Sequence, residues 1–285
     1  MDQISFEKTE PVRSTRGPDA GSLFAFFLMA YALMWACFFS VAFGHIPAHS
    51  LLGGVLLLLG TFSPGLAALC LTARREGSSG VRALLGRILL WRVSPRWYVF
   101  AVGYMAAIKL VAALLHRATA GAWPRFGDTP LYLIPLAILF SAPFQAGEEV
   151  GWRGYALPRL AARFGLASAS VILGVLWACW HVPQFFIPEA DTYGQSFLVY
   201  FVQVTAISVA MAWLWARTGG SLLLPMLLHA AVNNSKDIVP SAVVSGTKSF
   251  ALGGSLVGWL TVGLLWSCAA YLLAQMRASG TPSQF

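Results

Sequence analysis

Charge is what this sequence has least of: Asp, Glu, Lys and Arg make up 11% of its 285 residues, against about 25% in an ordinary soluble domain. Apolar residues (AVILMFWYC) reach 58%, above the usual level of about 45–50%, and the mean hydropathy is +0.69. A soluble globular fold is excluded, and a bilayer is the expected solvent. Cysteine is scarce too. Cys37, Cys70, Cys179 and Cys268 fall inside apolar stretches with no CxxC spacing, which argues against a disulfide framework or a thiolate metal set and reads them as small buried hydrophobes. A signal peptide is also missing, since a polar segment of about 21 residues precedes the first apolar stretch and no A-x-A-like site follows it. The first span is therefore expected to remain in the mature protein. No internal repeat, low-complexity tract or linker between domains is evident.

What the chain does have is apolar runs of about 20 residues, the length at which a helix rising about 1.5 Å per residue crosses a hydrocarbon core about 30 Å thick. Eight are predicted: Ser22–Gly44, Leu51–Ala73, Trp97–Leu115, Leu131–Gly154, Leu166–Ile187, Phe197–Trp215, Ser221–Asn233 and Ser255–Met276. The seventh is short and interrupted by Pro225. The expected fold class is an all-α membrane protein, a bundle of about eight transmembrane helices. Residues 1–21 form an N-terminal segment, 22–277 a single polytopic membrane domain and 278–285 a tail.

A net charge of +8 could suggest nucleic acid, but in a membrane protein basic residues record topology and contact with anionic headgroups. With the N-terminus inside, the cytoplasmic segments hold 13 basic residues: Lys8, Arg13, Arg16, Arg74, Arg75, Arg82, Arg87, Arg92, Arg96, Arg159, Arg163, Arg217 and Arg277. The outer loops hold four, Arg117, Arg125, Lys236 and Lys248. This bias predicts cytoplasmic termini. The short loops favour a bacterial or archaeal cytoplasmic membrane, with the lipid bilayer as partner and no nucleic acid. Gly80–Arg92 alternates Leu and Ile with Arg82, Arg87 and Arg92, as an amphipathic helix on the inner leaflet would.

Ionisable side chains within a span cost several kcal/mol unless paired or facing water, and so are functional candidates. The fourth span carries Gln145, Glu148, Glu149 and Arg153, the fifth His181, the seventh His229 and Asn233, while Lys109 stands alone in the third and is read as snorkelling. Adjacent helical residues point about 100° apart, whereas i,i+4 residues share a face. Glu149 and Arg153 are therefore expected to form an intramembrane ion pair, leaving Glu148 for proton transfer. His229 and Asn233, also i,i+4, offer an imidazole and a carboxamide able to meet an oxyanion. His181 can orient water or polarise a carbonyl. His45, His49 and His116 fall at loop edges and are read as solvated. On the predicted boundaries Glu148 and His229 lie nearer the cytoplasmic side than His181. A common depth requires the fifth helix to start near Ser170 or the fourth to continue to about Pro158.

These residues, as Glu148-Glu149-Val-Gly-Trp-Arg153, Trp177-Ala-Cys-Trp-His181 and His229-Ala-Ala-Val-Asn233, resemble the ordered EExxxR, aromatic-xxx-His and HxxxN/D motifs of the CPBP family. That family comprises CAAX proteases and bacteriocin-processing (Abi) enzymes, also termed type II CAAX prenyl endopeptidases. Trp177 stands where Phe is commoner, at a position that packs a ring beside the site. The resemblance implies an intramembrane endopeptidase, an eight-helix bundle enclosing a polar catalytic cavity, Glu148 as the base activating water, His181 and His229 around that water, Asn233 at the oxyanion, and Glu149 and Arg153 in support. A membrane-associated protein or peptide is the implied substrate: a CAAX-like C-terminus, a bacteriocin leader or a C-terminal anchor. The family is often labelled a metalloprotease, and Glu148, His181 and His229 could hold Zn2+ with water in the fourth position. The chain lacks HExxH, and metal-free water activation is the favoured reading. Two other classes compete on the residues alone: a proton- or cation-coupled transporter relaying through Glu148, His181 and His229, and a non-catalytic membrane scaffold.

Overall fold

The computed structural model describes residues 20–236, 238–240 and 255–278. The terminal segments predicted at 1–21 and 278–285, apart from Ala20, Gly21 and Ala278, lie outside the described residues, as do Lys8, Arg13, Arg16 and Lys248 of the charge count. Among the described residues every regular element is helical: α1 (Ala20–Phe43), α2 (Leu51–Thr61), α3 (Ser63–Gly86), α4 (Pro95–Ala120), α5 (Ile134–Ser141), α6 (Ala146–Glu149), α7 (Leu157–Phe164), α8 (Leu166–Trp180), α9 (Phe197–Arg217), α10 (Leu223–Ser235) and α11 (Leu256–Ala278), joined in places by single 3-10 turns. Among the described residues six runs are long and apolar enough to cross a membrane, and a seventh is formed if α2 and α3 count as one span bent by 54°. The protein is thus an all-α integral membrane protein.

Two predicted spans take a different form. The second bends at Phe62, ahead of Pro64, whose missing N–H and fixed φ suit a helix start rather than an interior. α3 then continues past a break at Gly77 (φ 66°), and its second half with the 3-10 turn Arg87–Leu89 occupies the predicted amphipathic stretch. The seventh predicted span is α10, of 13 residues, about 20 Å long at about 1.5 Å per residue and therefore shorter than the hydrocarbon core.

The fourth span is continuous from Leu131 to Phe164, although it passes through a 3-10 turn at Ala142–Gln145 and a π-helix at Val150–Ala156. It extends beyond Pro158, one of the two adjustments expected, whereas His181 remains 15 residues from one end and five from the other of the run Leu166–Phe186. Glu148 is 17 residues from one end of this run and 16 from the other, and His229 is six residues from each end of α10. α8 starts at Leu166 rather than Ser170. The π-turn lies against the start of α3: a Cβ on Gly151 would come within 2.5 Å of Pro64, so only glycine permits that approach.

In an apolar medium, helices are joined by close packing and by polar groups that find interhelical partners. Trp180 Nε1 donates to Ala30 O (3.2 Å) and Trp35 Nε1 to Trp180 O (3.1 Å), tying α8 to α1. Trp266 Nε1 donates to Val202 O (3.0 Å), tying α11 to α9. Asn234 Nδ2 donates to Ser141 Oγ (2.8 Å), tying α10 to α5. Gly174 lets α8 approach α9 so closely that a Cβ there would lie 2.8 Å from Thr205 Cα. Lys109, expected to snorkel, is instead 1% exposed, on a helix packed against both α10 and α11. The four cysteines are free thiols, of which Cys37 is buried while Cys70, Cys179 and Cys268, expected to be buried, are only partly so.

Candidate active site

The site is built on α6 and its π-turn, the C-terminal end of α8, and α10. Glu149 and Arg153, one turn apart, make the expected ion pair: Arg153 Nη1 lies 3.0 Å from Glu149 Oε1, with both side chains 0% exposed. A pair so deeply buried is tolerable only if its remaining valences are met. Arg153 Nη2 reaches Ser208 Oγ at 3.5 Å, and that hydroxyl donates to Ser170 O at 3.0 Å. The guanidinium carbon stands 4.3 Å from the Trp177 ring centroid. Glu149 Oε1 also accepts from His229 Nδ1 at 2.8 Å, so the histidine of α10 is oriented by Glu149 and not by Glu148.

Glu148 points elsewhere. Its Oε2 accepts the indole N–H of Trp177 at 2.7 Å, and among the described residues Oε1 takes no hydrogen bond. His181, the cap residue of α8, bonds through Nδ1 to Trp177 O, four residues back, at 2.7 Å. The Trp177 ring meets His181 at 5.6 Å and His229 at 5.2 Å, edge to face. Three polar side chains from three separate helices thus surround one indole. With Nδ1 engaged in both histidines, the neutral rings keep Nε2 as an acceptor.

Asn233 follows His229 by one turn, is exposed, and takes no protein partner among the described residues. Its neighbour Asn234 bonds to Ser141 and to Ala230 O, a structural use that sequence reading did not single out. Gln145 donates to Ser141 O (3.3 Å) within its own helical run. His45 and His49 are exposed, and His116 bonds locally to Ala122 O; none joins the site.

Sequence reading missed Tyr200 and Ser208 on α9. Tyr200 stands 5.5 Å from the His181 ring, and Ser208 Oγ lies 3.5 Å from Arg153 Nη2 while Arg153 Nε has no partner among the described residues. They are eight residues apart, two turns along one helix face, and that spacing was the available signal. It was faint in a helix otherwise almost wholly apolar.

A zinc ion would find suitable donor chemistry in two imidazoles with free Nε2 atoms, each fixed through Nδ1. Among the described residues, however, no three His, Cys, Asp or Glu side chains come together closely enough to hold a metal ion. Glu148, His181 and His229 are neighbours around an indole, not a gathered ligand set.

The helical membrane bundle thus brings two buried glutamates and two buried histidines to one cluster. Residues 128–235 match the family of Rce1-like type II CAAX prenyl endopeptidases. A curated archaeal relative, CAAX prenyl protease 2 of Methanococcus maripaludis, is 23% identical over 245 residues, covering 80% of this chain and 88% of that protein. The match and the relative both make the chain similar to the CPBP family, and they support an intramembrane endopeptidase of the CAAX prenyl protease type.

Proposed function

We propose that the chain hydrolyses a peptide bond near the C-terminus of a membrane-associated, CAAX-like protein, using water activated by Glu148. The convergence of Glu148, His181 and His229 around Trp177 is the observation that carries this reading. The name of the archaeal relative supports a CAAX-like C-terminus ahead of a bacteriocin leader or a C-terminal anchor.

Water bound at Glu148 Oε1 gives one proton to the carboxylate as its oxygen attacks the scissile carbonyl carbon. His181 Nε2 accepts the other water proton in a hydrogen bond and aims the lone pair. The carbonyl oxygen becomes an oxyanion, met by the Asn233 carboxamide. Collapse of the tetrahedral intermediate breaks the C–N bond, and the proton held by Glu148 passes to the leaving amine. His229, fixed through Nδ1 by the Glu149–Arg153 pair, borders the water on the side of α10. With both termini cytoplasmic, the substrate enters from the inner leaflet.

The test compares protein termini in cells expressing wild type or Glu148→Ala at equal folded amounts, by mass spectrometry of N- and C-terminal peptides. A small set of CAAX-like precursors accumulating only with the variant is expected. Accumulating leader or anchor precursors would replace the substrate class, and identical termini under several growth conditions would defeat the proposal.

A further inference from the structure

Trp177 touches every charged or imidazole group of the central cluster except Glu149, through three different parts of one side chain. Its N–H meets Glu148 Oε2 at 2.7 Å, its ring face lies under the Arg153 guanidinium at 4.3 Å, and it packs edge to face with both histidines. Its own carbonyl takes Nδ1 of His181. One turn earlier, Gly174 sets α8 against Thr205, which seats the indole at a fixed height. A side chain engaged on so many sides has little freedom to rotate.

We propose that Trp177 is a positioning residue for Glu148, holding Oε2 so that Oε1 is presented to water, and that its ring keeps Arg153 from pairing with that carboxylate. This inference rests on the reading of Glu148 as base. Arg153 carries two sequential carboxylates within about one turn, yet its ion pair is with Glu149, and its guanidinium lies over the indole. An ionised donor makes a hydrogen bond roughly twice as strong as a neutral one and neutralises the carboxylate. A single neutral N–H fixes the orientation of Glu148 without that neutralisation, so the carboxylate is aimed and still able to take a proton. Orientation of a catalytic group is worth a great deal, since a displacement of about 1 Å can cost about 100-fold in rate. Phenylalanine would preserve the ring over Arg153 and lose only the N–H.

The experiment uses the full chain in nanodiscs with a fluorogenic farnesylated peptide ending in Cys-aliphatic-aliphatic-X as probe, together with 15N-labelled tryptophan. Trp177→Phe is expected to keep its folded yield and its KM while kcat falls at least about tenfold. The Trp177 indole resonance, assigned by its loss in Trp177→Phe, is expected to lie downfield in wild type and to move upfield in Glu148→Ala. A wild-type kcat in Trp177→Phe, or an indole resonance indifferent to Glu148→Ala, overturns the inference. The two readings fail separately. Glu148→Ala that still cleaves the probe defeats the proposed mechanism, whereas an inactive Glu148→Ala beside a fully active Trp177→Phe removes the positioning role alone. If the probe is not cleaved by wild type, the indole resonance decides.

Discussion

The outer and inner helices of this bundle obey different rules. In α1, α4 and α11, 33%, 39% and 33% of the spanning window is buried within the protein, whereas the run Leu166–Phe186 that begins with α8 reaches 56% and α9 67%. The outer helices present Leu, Phe and Val to lipid, where one large hydrophobe serves about as well as another. The inner helices, α10 and the broken fourth span, whose window is itself only 33% buried, carry the ion pair, the two histidines of the candidate site and Ser208. Most polar groups there have a named partner, although Glu149 Oε2 and Arg153 Nε have none among the described residues. Exchange of residues is therefore cheap on the outside and costly at the centre, and the cost at the centre comes from unpaired polar groups more than from lost apolar area.

The sharpest break is expected at Glu148. Replacement by Ala removes a proton acceptor without exposing a buried charge, so cleavage should fall by about 10²–10⁴-fold at unchanged folded yield, read by peptide cleavage beside size-exclusion chromatography in detergent. Arg153→Ala should do something different, leaving Glu149 charged and 0% exposed at a cost of about 3–5 kcal/mol, seen as a lower folded yield. Equal yields from the two variants would defeat the division of labour between the adjacent glutamates. Gly174→Ala, by forcing a Cβ to within 2.8 Å of Thr205 Cα, should cost about 1–3 kcal/mol, read as a lower thermal unfolding midpoint. Phe140→Leu, on the exposed side of α5, should stay within about 0.5 kcal/mol. A loss there as large as at Gly174 would erase the contrast between outer and inner positions.

Much of the centre was legible because helical periodicity is local. The i,i+4 spacing of Glu149 and Arg153 predicts a pair that forms at 3.0 Å, and apolar length predicts the long helices. The shortness of α10 was legible in the sequence and the bend at Phe62 has its cause in Pro64, but the burial of Lys109 was not legible, because it depends on the helices packed against α4. Trp177 shows the limit most clearly. Its place beside the histidine motif implied a packed ring, but spacing along α8 carries no information on the direction of an indole N–H relative to a carboxylate 29 residues away.

The sequence by itself determined a membrane-embedded helical protein and which few polar residues had to find partners inside it, because charge cannot stay unpaired in hydrocarbon and helix geometry relates residues one turn apart. Only the tertiary structure decided the partners across helices: Glu149 for His229, Trp177 for Glu148, Ser208 for Arg153. Those choices depend on the relative height and rotation of packed helices, set by features such as Gly151 against Pro64 and Gly174 against Thr205, and no periodicity along a single helix encodes them.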